Sequence, residues 1–345
     1  MKWKRTFTVV GCHCEGEVGN VVTGGVPNFP GRTVFEKMQY MEQNYDHFRK
    51  LVLFEPRGMA VNNTNVIVPP CHPEAQMGYI ILESTEYPPM SGSNTICVAT
   101  VLLETGILEM QEPVTRLTLE APAGLIKVDC ECKDGHVERV TFTNQPAFVY
   151  HLDEPLHVPG VGDLKVDVAY GGMTFVMIEA ESLGLRLEPN EARHLCELGE
   201  RIKACAAEKF PAVHPTNPDI HSITNLQFVG PLIKQGDAIR SRNATVVRPG
   251  RLDRSPCGTG TSARLAILHA KKRIEVGQTF IHESVIGSQF VARVAERTTI
   301  GPYDAIIPEV SGRAWLTHIS QHGLDPRDPF QEGYTVSDTW LKTVS

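Results

Sequence analysis

The sequence predicts an α+β fold built from two similar halves, and two observations support this. Segments typical of strands far outnumber segments typical of helices and do not alternate with them one for one, as they would in a doubly wound sheet. The stretches Pro88–Thr95 and Asp253–Ser262 also share one layout: proline, a small nucleophile-type residue followed by glycine, hydroxyl residues, and then an apolar helix. Ser91 stands where Cys257 stands in the later stretch, and the separation of the two is close to half of the 345 residues.

The first half is expected to contain two helices among many strands. One helix covers residues 33–44, where Val34, Met38 and Met41 share a face, and the other follows Ser91 and ends at Gly106. Asp134-Gly135 lies between two strand patterns and is typical of a hairpin turn. The predicted strands are residues 5–11, 19–24, 51–54, 66–70, 77–82, 115–120, 125–132 and 136–144.

The second half repeats this composition. Residues 145–160 contain three prolines and are expected to form a crossing between the halves. Residues 190–209 carry the strongest helical pattern, and a further helix follows Cys257. The predicted strands are residues 164–168, 174–179, 222–230, 237–247, 278–280, 288–298, 303–310 and 314–319. We therefore expect an N-terminal lobe of residues 1–150, with residues 320–345 as a segment that could complete it, and a C-terminal lobe of residues 151–319.

The composition describes an ordinary soluble globular protein, with 41% hydrophobic and 21% charged residues. The net charge is −7 and no basic run occurs, which argues against nucleic acid or a membrane surface as a partner. No apolar stretch approaches 18 residues, and the N-terminus fits a first strand better than a signal peptide. Nine cysteines are an odd number in a long chain, which favours free thiols and a cytoplasmic location.

The segment around Cys257 combines features that suit an anion and a reactive thiol. Pro256 restricts the residue before it to an extended backbone, and the glycines that follow allow a tight turn and close approach of a ligand. The first N–H groups of the next helix have no intrahelical partner and bind anions such as a carboxylate. A cysteine at a helix N-terminus is also expected to have a lowered pKa. The alternative for Cys257 is a small buried apolar residue.

Ser91 and Asp253 complete the candidate site. Serine is favoured as a helix N-cap, a role that is compatible with catalysis. Asp253 is either a turn former or the partner of a substrate ammonium. A zwitterion needs both ends bound, with helix N–H groups at its carboxylate and a carboxylate at its amine. The pairs Cys12/Cys14 and Cys130/Cys132 are spaced too closely for a typical zinc site, so no metal is expected.

These residues resemble the proline racemase family, which includes 4-hydroxyproline 2-epimerases and trans-3-hydroxy-L-proline dehydratases. The resemblance spans most of the chain, and the Cys257 motif is the most specific part of it. The motifs that carry it are His13-Cys14-Glu15-Gly16-Glu17, Gly24-Gly25-Val26-Pro27, Glu55-Pro56-Arg57-Gly58, Ser91-Gly92-Ser93-Asn94-Thr95-Ile96, Ala169-Tyr170-Gly171-Gly172 and Asp253-Arg254-Ser255-Pro256-Cys257-Gly258-Thr259-Gly260-Thr261.

The resemblance implies a fold like that of diaminopimelate epimerase, with two pseudo-symmetric lobes, each a sheet wrapped around a central helix, and a site between them. It implies no metal, pyridoxal phosphate or nucleotide cofactor, and no motif for one is present. Racemases of the family use two cysteines, one to remove the α-proton and the other to return a proton. The first of these is followed by Gly-His-Gly, whereas this chain has Ser91-Gly92-Ser93-Asn94.

An alkoxide matches neutral pH far worse than a thiolate, so a serine–cysteine pair is a poor racemase. The resemblance therefore implies the dehydratase branch, acting on a small imino acid, as a monomer or homodimer. Cys257 is favoured as the base, with Ser91 helping the hydroxyl to leave, and the reverse assignment stays open. The N–H groups of Gly92, Ser93, Gly258 and Thr259 are expected to hold the carboxylate. The alternatives are a 4-hydroxyproline 2-epimerase or proline racemase, and a non-enzymatic binder of small amino acids.

Overall fold

The chain divides into two compact units, and the computed structural model describes residues 5–340. Unit 1 is Met1–Phe142 with Gly312–Ser345, and unit 2 is Thr143–Ser311. The compact units change over after Phe142 and after Ser311, eight residues before the lobe boundaries expected at residues 150 and 319, which lie inside strands.

Among the residues of unit 1 that the structure describes, there are two helices, and the other regular elements are strands. Strand β1 pairs antiparallel with β2 and β18, β2 runs parallel to β3, β3 antiparallel to β4, β4 parallel to β5, and β5 antiparallel to β6. The elements are β1 (Arg5–Cys14), β2 (Glu17–Gly24), α1 (Val34–Leu53), β3 (Asn63–Val68), β4 (Met77–Leu82), α2 (Gly92–Glu104), β5 (Val114–Ala121), β6 (Gly124–Lys133), β7 (His136–Thr143) and β18 (Ala314–Leu324).

Unit 2 repeats the same alternation of pairings. Strand β9 is antiparallel to β10, β10 parallel to β11, β11 antiparallel to β13, β13 parallel to β15, and β15 antiparallel to β16. In both units the two parallel steps each span a helix, as parallel connections require. The elements are β8 (Ala147–Val158), β9 (Gly162–Tyr170), β10 (Thr174–Glu179), α3 (Ala192–Lys209), β11 (Asn225–Val229), β12 (Ile233–Gln235), β13 (Ala238–Val247), β14 (Arg251–Leu252), α4 (Gly258–Ala270), β15 (Phe280–Glu283), β16 (Gln289–Ile300) and β17 (Tyr303–Gly312).

One helix in each unit is buried over nearly its whole length. In α2 all residues from Gly92 to Leu103 are buried, and in α4 all residues from Gly258 to Leu268. A helix that is apolar around most of its surface is stable only where protein surrounds it. Helix α2 contacts β1, β2, β3, β6 and β18, and α4 contacts β8, β9, β10 and β16. The N-termini of these two helices carry the Ser91 and Cys257 segments.

The predicted predominance of strands over helices is confirmed, but two predicted segments were wrong. Residues 51–54 are not a strand, because α1 continues to Leu53 and buries Leu51 and Leu53 beside Phe48. A short apolar run does not distinguish a strand from the last turn of a buried helix. Residues 145–160 are not a crossing, since they contain the 12-residue strand β8, which pairs with β9. Pro146 and Pro159 lie just outside the two ends of β8.

Within residues 5–340, no helix is long and apolar enough to cross a membrane.

Candidate active site

Cys257 lies at the N-terminus of α4 and has a backbone conformation that residues other than glycine rarely adopt. Its φ is 65° and its ψ is 106°, although it is not a glycine. This conformation aims the thiol back over the first turn of the helix. The Sγ atom accepts a hydrogen bond from the N–H of Gly260 at 3.4 Å and lies 3.7 Å from the hydroxyl of Thr259. Only 5% of the residue is exposed.

A short relay of hydrogen bonds ties Cys257 to the carboxylate of Asp253. One carboxylate oxygen of Asp253 accepts from both the N–H and the hydroxyl of Ser255, at 2.8 Å each. The same hydroxyl oxygen accepts from the N–H of Cys257 at 3.1 Å. The aspartate and the thiol are thus held in fixed positions by one buried serine.

Burial raises the pKa of the Cys257 thiol well above its usual range, and the nearby charge of Asp253 raises it further. The hydrogen bonds from Gly260 and Thr259 act in the opposite direction but do not compensate. The lowered pKa that the helix N-terminus led us to expect is therefore wrong for the free protein. A cation bound at Asp253 would cancel the aspartate's charge and shift the thiol back toward ionisation.

The start of α4 packs against a glycine turn between β9 and β10. A side chain at Gly171 would collide with the carbonyl of Thr259, so only glycine lets the turn come this close. The amide of Asn144 donates to the carbonyl of Gly171 at 2.8 Å and to the hydroxyl of Ser262 at 2.9 Å. Sequence reasoning did not identify Asn144, since its contacts with residues 171 and 262 are long-range.

Two buried side-chain amides pack against the loop that carries Cys257. A Cβ atom at Gly260 would lie 2.5 Å from the Gln227 amide nitrogen, which donates to Thr245 at 2.8 Å. The neighbouring Asn243 amide donates to the carbonyl of Pro256 at 3.1 Å. Gln227 was also missed, although an isolated glutamine inside the apolar run of β11 is a signal that could have found it.

A fully buried histidine supports α4 from β15. The Nδ1 atom of His282 lies 2.8 Å from the hydroxyl of Thr261. Burial, and secondarily the charge of the buried Arg264, lower the pKa of His282 to about 3. His282 is therefore neutral throughout the range in which an exposed histidine titrates.

In unit 1, Ser91 precedes α2 in an extended conformation. Its carbonyl accepts from the N–H of Thr95 at 3.0 Å, so its backbone begins the helix. Its side chain does not cap the helix, contrary to the usual role of an N-terminal serine. Instead, Ser91 Oγ accepts from the side-chain amide of Asn94 at 2.9 Å and lies 3.5 Å from the hydroxyl of Ser93.

Asn94 is itself held by a second buried amide. Its Oδ1 atom accepts from the amide nitrogen of Asn65 at 2.7 Å, and that nitrogen also donates to the main-chain carbonyl of Asn20 at 3.3 Å. Both side chains are at least 99% buried. Sequence reasoning did not identify either residue as part of the site, because their contacts join β2, β3 and α2.

The sequence-predicted residues therefore form one group in each unit. Gly92 and Ser93 are the first two residues of α2, directly after Ser91. Gly258 and Thr259 are the first two residues of α4, directly after Cys257. N–H groups in a first helical turn lack intrahelical acceptors, so each helix offers donors to an anion. Their role in binding a substrate stays a prediction.

Four other cysteines and one large groove are not among the contacts described for these two groups. Cys12, Cys14, Cys130 and Cys132 are buried, and burial raises the pKa of Cys130 to about 12. Among residues 5–340, no cluster of three or more histidine, cysteine, aspartate or glutamate side chains could hold a metal ion. A groove of about 770 Å³ lies at the C-terminal end of α4, about 18 Å along the helix from Cys257.

Comparison with known proteins gives one family and several solved structures. The family described as proline racemase matches residues 9–335. A hydroxyproline epimerase from Agrobacterium vitis, solved with bound trans-4-hydroxy-L-proline, is 39% identical with a TM-score of 0.92, covering 99% of this chain and 97% of that one. A probable proline racemase from Agrobacterium radiobacter K84, solved with bound carbonate, is 39% identical with a TM-score of 0.90, covering 97% and 98%.

A more distant match shows the fold alone. A phenazine biosynthesis protein of the PhzF family from Bacillus anthracis is 12% identical with a TM-score of 0.58, covering 93% of this chain and 99% of that one. The sheet-rich architecture with few helices is thus a fold that the proline racemase and PhzF families share.

The charge of Asp253 predicts the effect of neutralising it. In Asp253→Asn the pKa of the Cys257 thiol should fall, because a negative charge that opposes ionisation is removed. The measurement is the pH dependence of iodoacetamide alkylation of the Cys257 peptide, followed by mass spectrometry. The exposed Asp237→Asn serves as the control and should leave the profile unchanged. An unchanged or higher pKa in Asp253→Asn would contradict the coupling.

The buried His282 predicts a loss of stability in acid. Its folded-state pKa, about 3, lies below the ordinary value of 6.5, so the unfolded chain binds a proton first as pH falls. This residue should lower the free energy of unfolding by about 2 kcal/mol between pH 7 and pH 5. Urea unfolding of wild type and His282→Gln at both pH values measures the difference. A His282→Gln protein that keeps the wild-type pH dependence would refute the assignment.

Proposed function

The chain belongs to the proline racemase family, whose members are enzymes, and from that premise we propose that it is a hydro-lyase, a trans-3-hydroxy-L-proline dehydratase. One observation carries the proposal. The helix N-terminus at Cys257 has a thiol under the charge of Asp253, whose carboxylate is linked through Ser255 to the main-chain N–H of Cys257, whereas that at Ser91 has a hydroxyl whose described contacts are an amide and another hydroxyl. Only the first of these groups has a pKa that can be brought near neutrality for proton abstraction.

Substrate binding is proposed to activate the thiol. The ring ammonium of the substrate pairs with Asp253, and the N–H groups of Gly92, Ser93, Gly258 and Thr259 bind its carboxylate. Pairing of the ammonium with Asp253 offsets the charge that holds the thiol in its protonated form. The Cys257 thiolate then forms when the correct zwitterion is bound, and the protonation of the other cysteines does not change.

The reaction then needs one base and one leaving group. The Cys257 thiolate removes the α-proton, and the carboxylate bound by helix N–H groups accommodates the developing negative charge. The electron pair forms the double bond between C2 and C3 as the 3-hydroxyl, on the ring face of the removed α-hydrogen, takes the proton from the Cys257 thiol and leaves as water. In trans-3-hydroxy-L-proline the α-hydrogen and the 3-hydroxyl lie on the same side of the ring, so no second thiol is required. The enamine tautomerises to Δ1-pyrroline-2-carboxylate.

The second candidate is a 4-hydroxyproline 2-epimerase or proline racemase. It is favoured by the 39% identity to a hydroxyproline epimerase and to a probable proline racemase. An epimerase keeps the hydroxyl of 4-hydroxyproline, and a proline racemase acts on a ring without a hydroxyl, whereas a dehydratase removes the hydroxyl. The products therefore distinguish the two candidates.

Other features complete the proposal. We propose that each unit is a sheet wrapped around its buried helix, α2 in unit 1 and α4 in unit 2. The contacts of each helix with the surrounding strands support this proposal. A cytoplasmic location and a monomeric or homodimeric state stay predictions. The imino acid substrate is the only partner that the proposal requires.

A coupled assay tests the function. Incubation with trans-3-hydroxy-L-proline, NADPH and a ketimine reductase should consume NADPH, because the reductase reduces Δ1-pyrroline-2-carboxylate. Cys257→Ser should lower the rate by about 10³-fold or more, whereas Ser91→Ala should keep measurable activity. Cys205→Ser, which changes a partly buried thiol on α3, is the matched control and should be fully active.

Two results would overturn parts of this proposal. NADPH consumption absent with trans-3-hydroxy-L-proline, together with interconversion of 4-hydroxyproline epimers, would establish the second candidate instead. A Ser91→Ala protein without activity beside a Cys257→Ser protein with substantial activity would reverse the roles of the two residues.

A further inference from the structure

Strands β18 and β8 occupy the same place in the connectivity of the two units. Each pairs antiparallel with the first strand of its unit's alternating series, β18 with β1 and β8 with β9. Strand β8 also pairs with β17 over two residues at its start. In the part of the chain that the structure describes, no ladder joins the opposite edge of β18 to another strand. The two strands can therefore be compared as edges of similar sheets.

Strand β8 has the features that keep an edge strand from pairing with another chain. It contains Asp153, Glu154 and Pro155, and its register with β9 shifts twice. The exposed carboxylate of Asp153 forms ion pairs with Lys165 at 3.2 Å and with Lys271 at 3.1 Å. Charges, proline and an irregular register are the usual protections of a sheet edge against association.

Strand β18 has none of these charges and no proline. From Ala314 to Leu324 it contains no aspartate, glutamate, lysine or arginine, and its register with β1 is unbroken from His318 to Leu324. Ile319 is 71% exposed, more than any other large apolar side chain within residues 5–340, and Trp315 is 42% exposed. A long, uncharged and regular edge with exposed apolar side chains is one that pairs readily with a further strand.

The partner that fits this edge best is a second copy of the chain. A two-fold axis places the same strand of two copies side by side in opposite directions, which is the geometry of an antiparallel ladder. The net charge of −7 makes most surfaces of two copies repel each other, but β18 brings no acidic or basic residue to such an axis. An edge without charges offers nothing specific to a charged partner.

We propose that β18 forms the contact of a homodimer, in which two copies pair their β18 strands antiparallel. The regular stretch His318–Leu324 supplies the backbone of the ladder, and the contact covers Ile319. Ladder hydrogen bonds then satisfy N–H and C=O groups of the edge, and burial of apolar side chains adds hydrophobic stabilisation. The inference does not depend on the proposed function, since β18 carries none of the residues assigned to catalysis or substrate binding.

Substitution of Ile319 tests the contact. Sedimentation velocity over a range of concentrations should show a wild-type species of twice the 38.1 kDa of one chain. Ile319→Lys places a charge from each copy in the contact and should raise the dissociation constant of the dimer by about 30-fold or more. Ile233→Lys is the matched control, because Ile233 is a 57% exposed isoleucine on β12 of unit 2. It should keep the wild-type dissociation constant.

Hydrogen exchange tests the strand pairing itself. In an isolated edge strand every second N–H group points away from the sheet and exchanges freely, and a ladder protects these groups. Exchange of β18 peptides in wild-type protein should therefore slow as the concentration rises through the dissociation constant, whereas exchange of β8 peptides should not change. If thermal melting shows that Ile319→Lys does not fold, Gln321→Lys takes its place, since Gln321 is an exposed residue of the same strand.

Three results would overturn the inference. The first is a wild-type protein that is monomeric at every concentration. The second is a dimer whose dissociation constant is the same in wild type and in a folded Ile319→Lys protein, which would assign the contact to another surface. The third is a dimer that Ile319→Lys weakens while the exchange of β18 amides is independent of concentration, which would replace the ladder by a contact of side chains alone.

Discussion

The acid–base chemistry proposed here depends on the relay that joins Asp253 to Cys257 through Ser255. The same carboxylate that would bind a substrate ammonium also raises the pKa of the thiol. In the free protein these effects leave the thiol neutral, which limits its reactivity toward oxidants and electrophiles. A cation bound at Asp253 would remove the second of these effects and shift the thiol toward ionisation. In the proposed mechanism, recognition of the substrate and activation of the base therefore share one charge.

The two units share a connectivity, but their buried helices begin in different chemical environments. Each unit places a helix of 13 residues across a parallel step of its strands, and a small residue followed by glycine precedes each helix. At Cys257 the supporting groups lead to a carboxylate, and at Ser91 they lead to a chain of neutral amides. Similar backbones thus present a thiol near a carboxylate in one unit and a hydroxyl beside neutral amides in the other. The difference lies in a few side chains behind each helix N-terminus.

Much of this arrangement could be predicted from the sequence, because it is local. The glycine and proline pattern around Cys257, and its counterpart at Ser91, identified both helix N-termini correctly. The sequence did not reveal that α1 continues to Leu53, since an apolar run of four residues fits a strand equally well. The expected lowering of the thiol pKa was wrong because burial and Asp253 outweigh the helix N–H groups. Asn65 and Gln227 were missed because they reach the site only through contacts between distant strands and helices.

The proposed dehydration is tested most directly by following the fate of the ring hydroxyl. Wild-type protein is incubated in D2O in separate reactions with trans-3-hydroxy-L-proline and trans-4-hydroxy-L-proline, and all products are resolved by chiral chromatography and mass spectrometry. We expect the 3-hydroxy substrate to lose water and give Δ1-pyrroline-2-carboxylate, at a rate that greatly exceeds any epimerisation of the 4-hydroxy substrate. Rapid formation of the α-deuterated epimer of 4-hydroxyproline, with the 3-hydroxy substrate left intact, would contradict it.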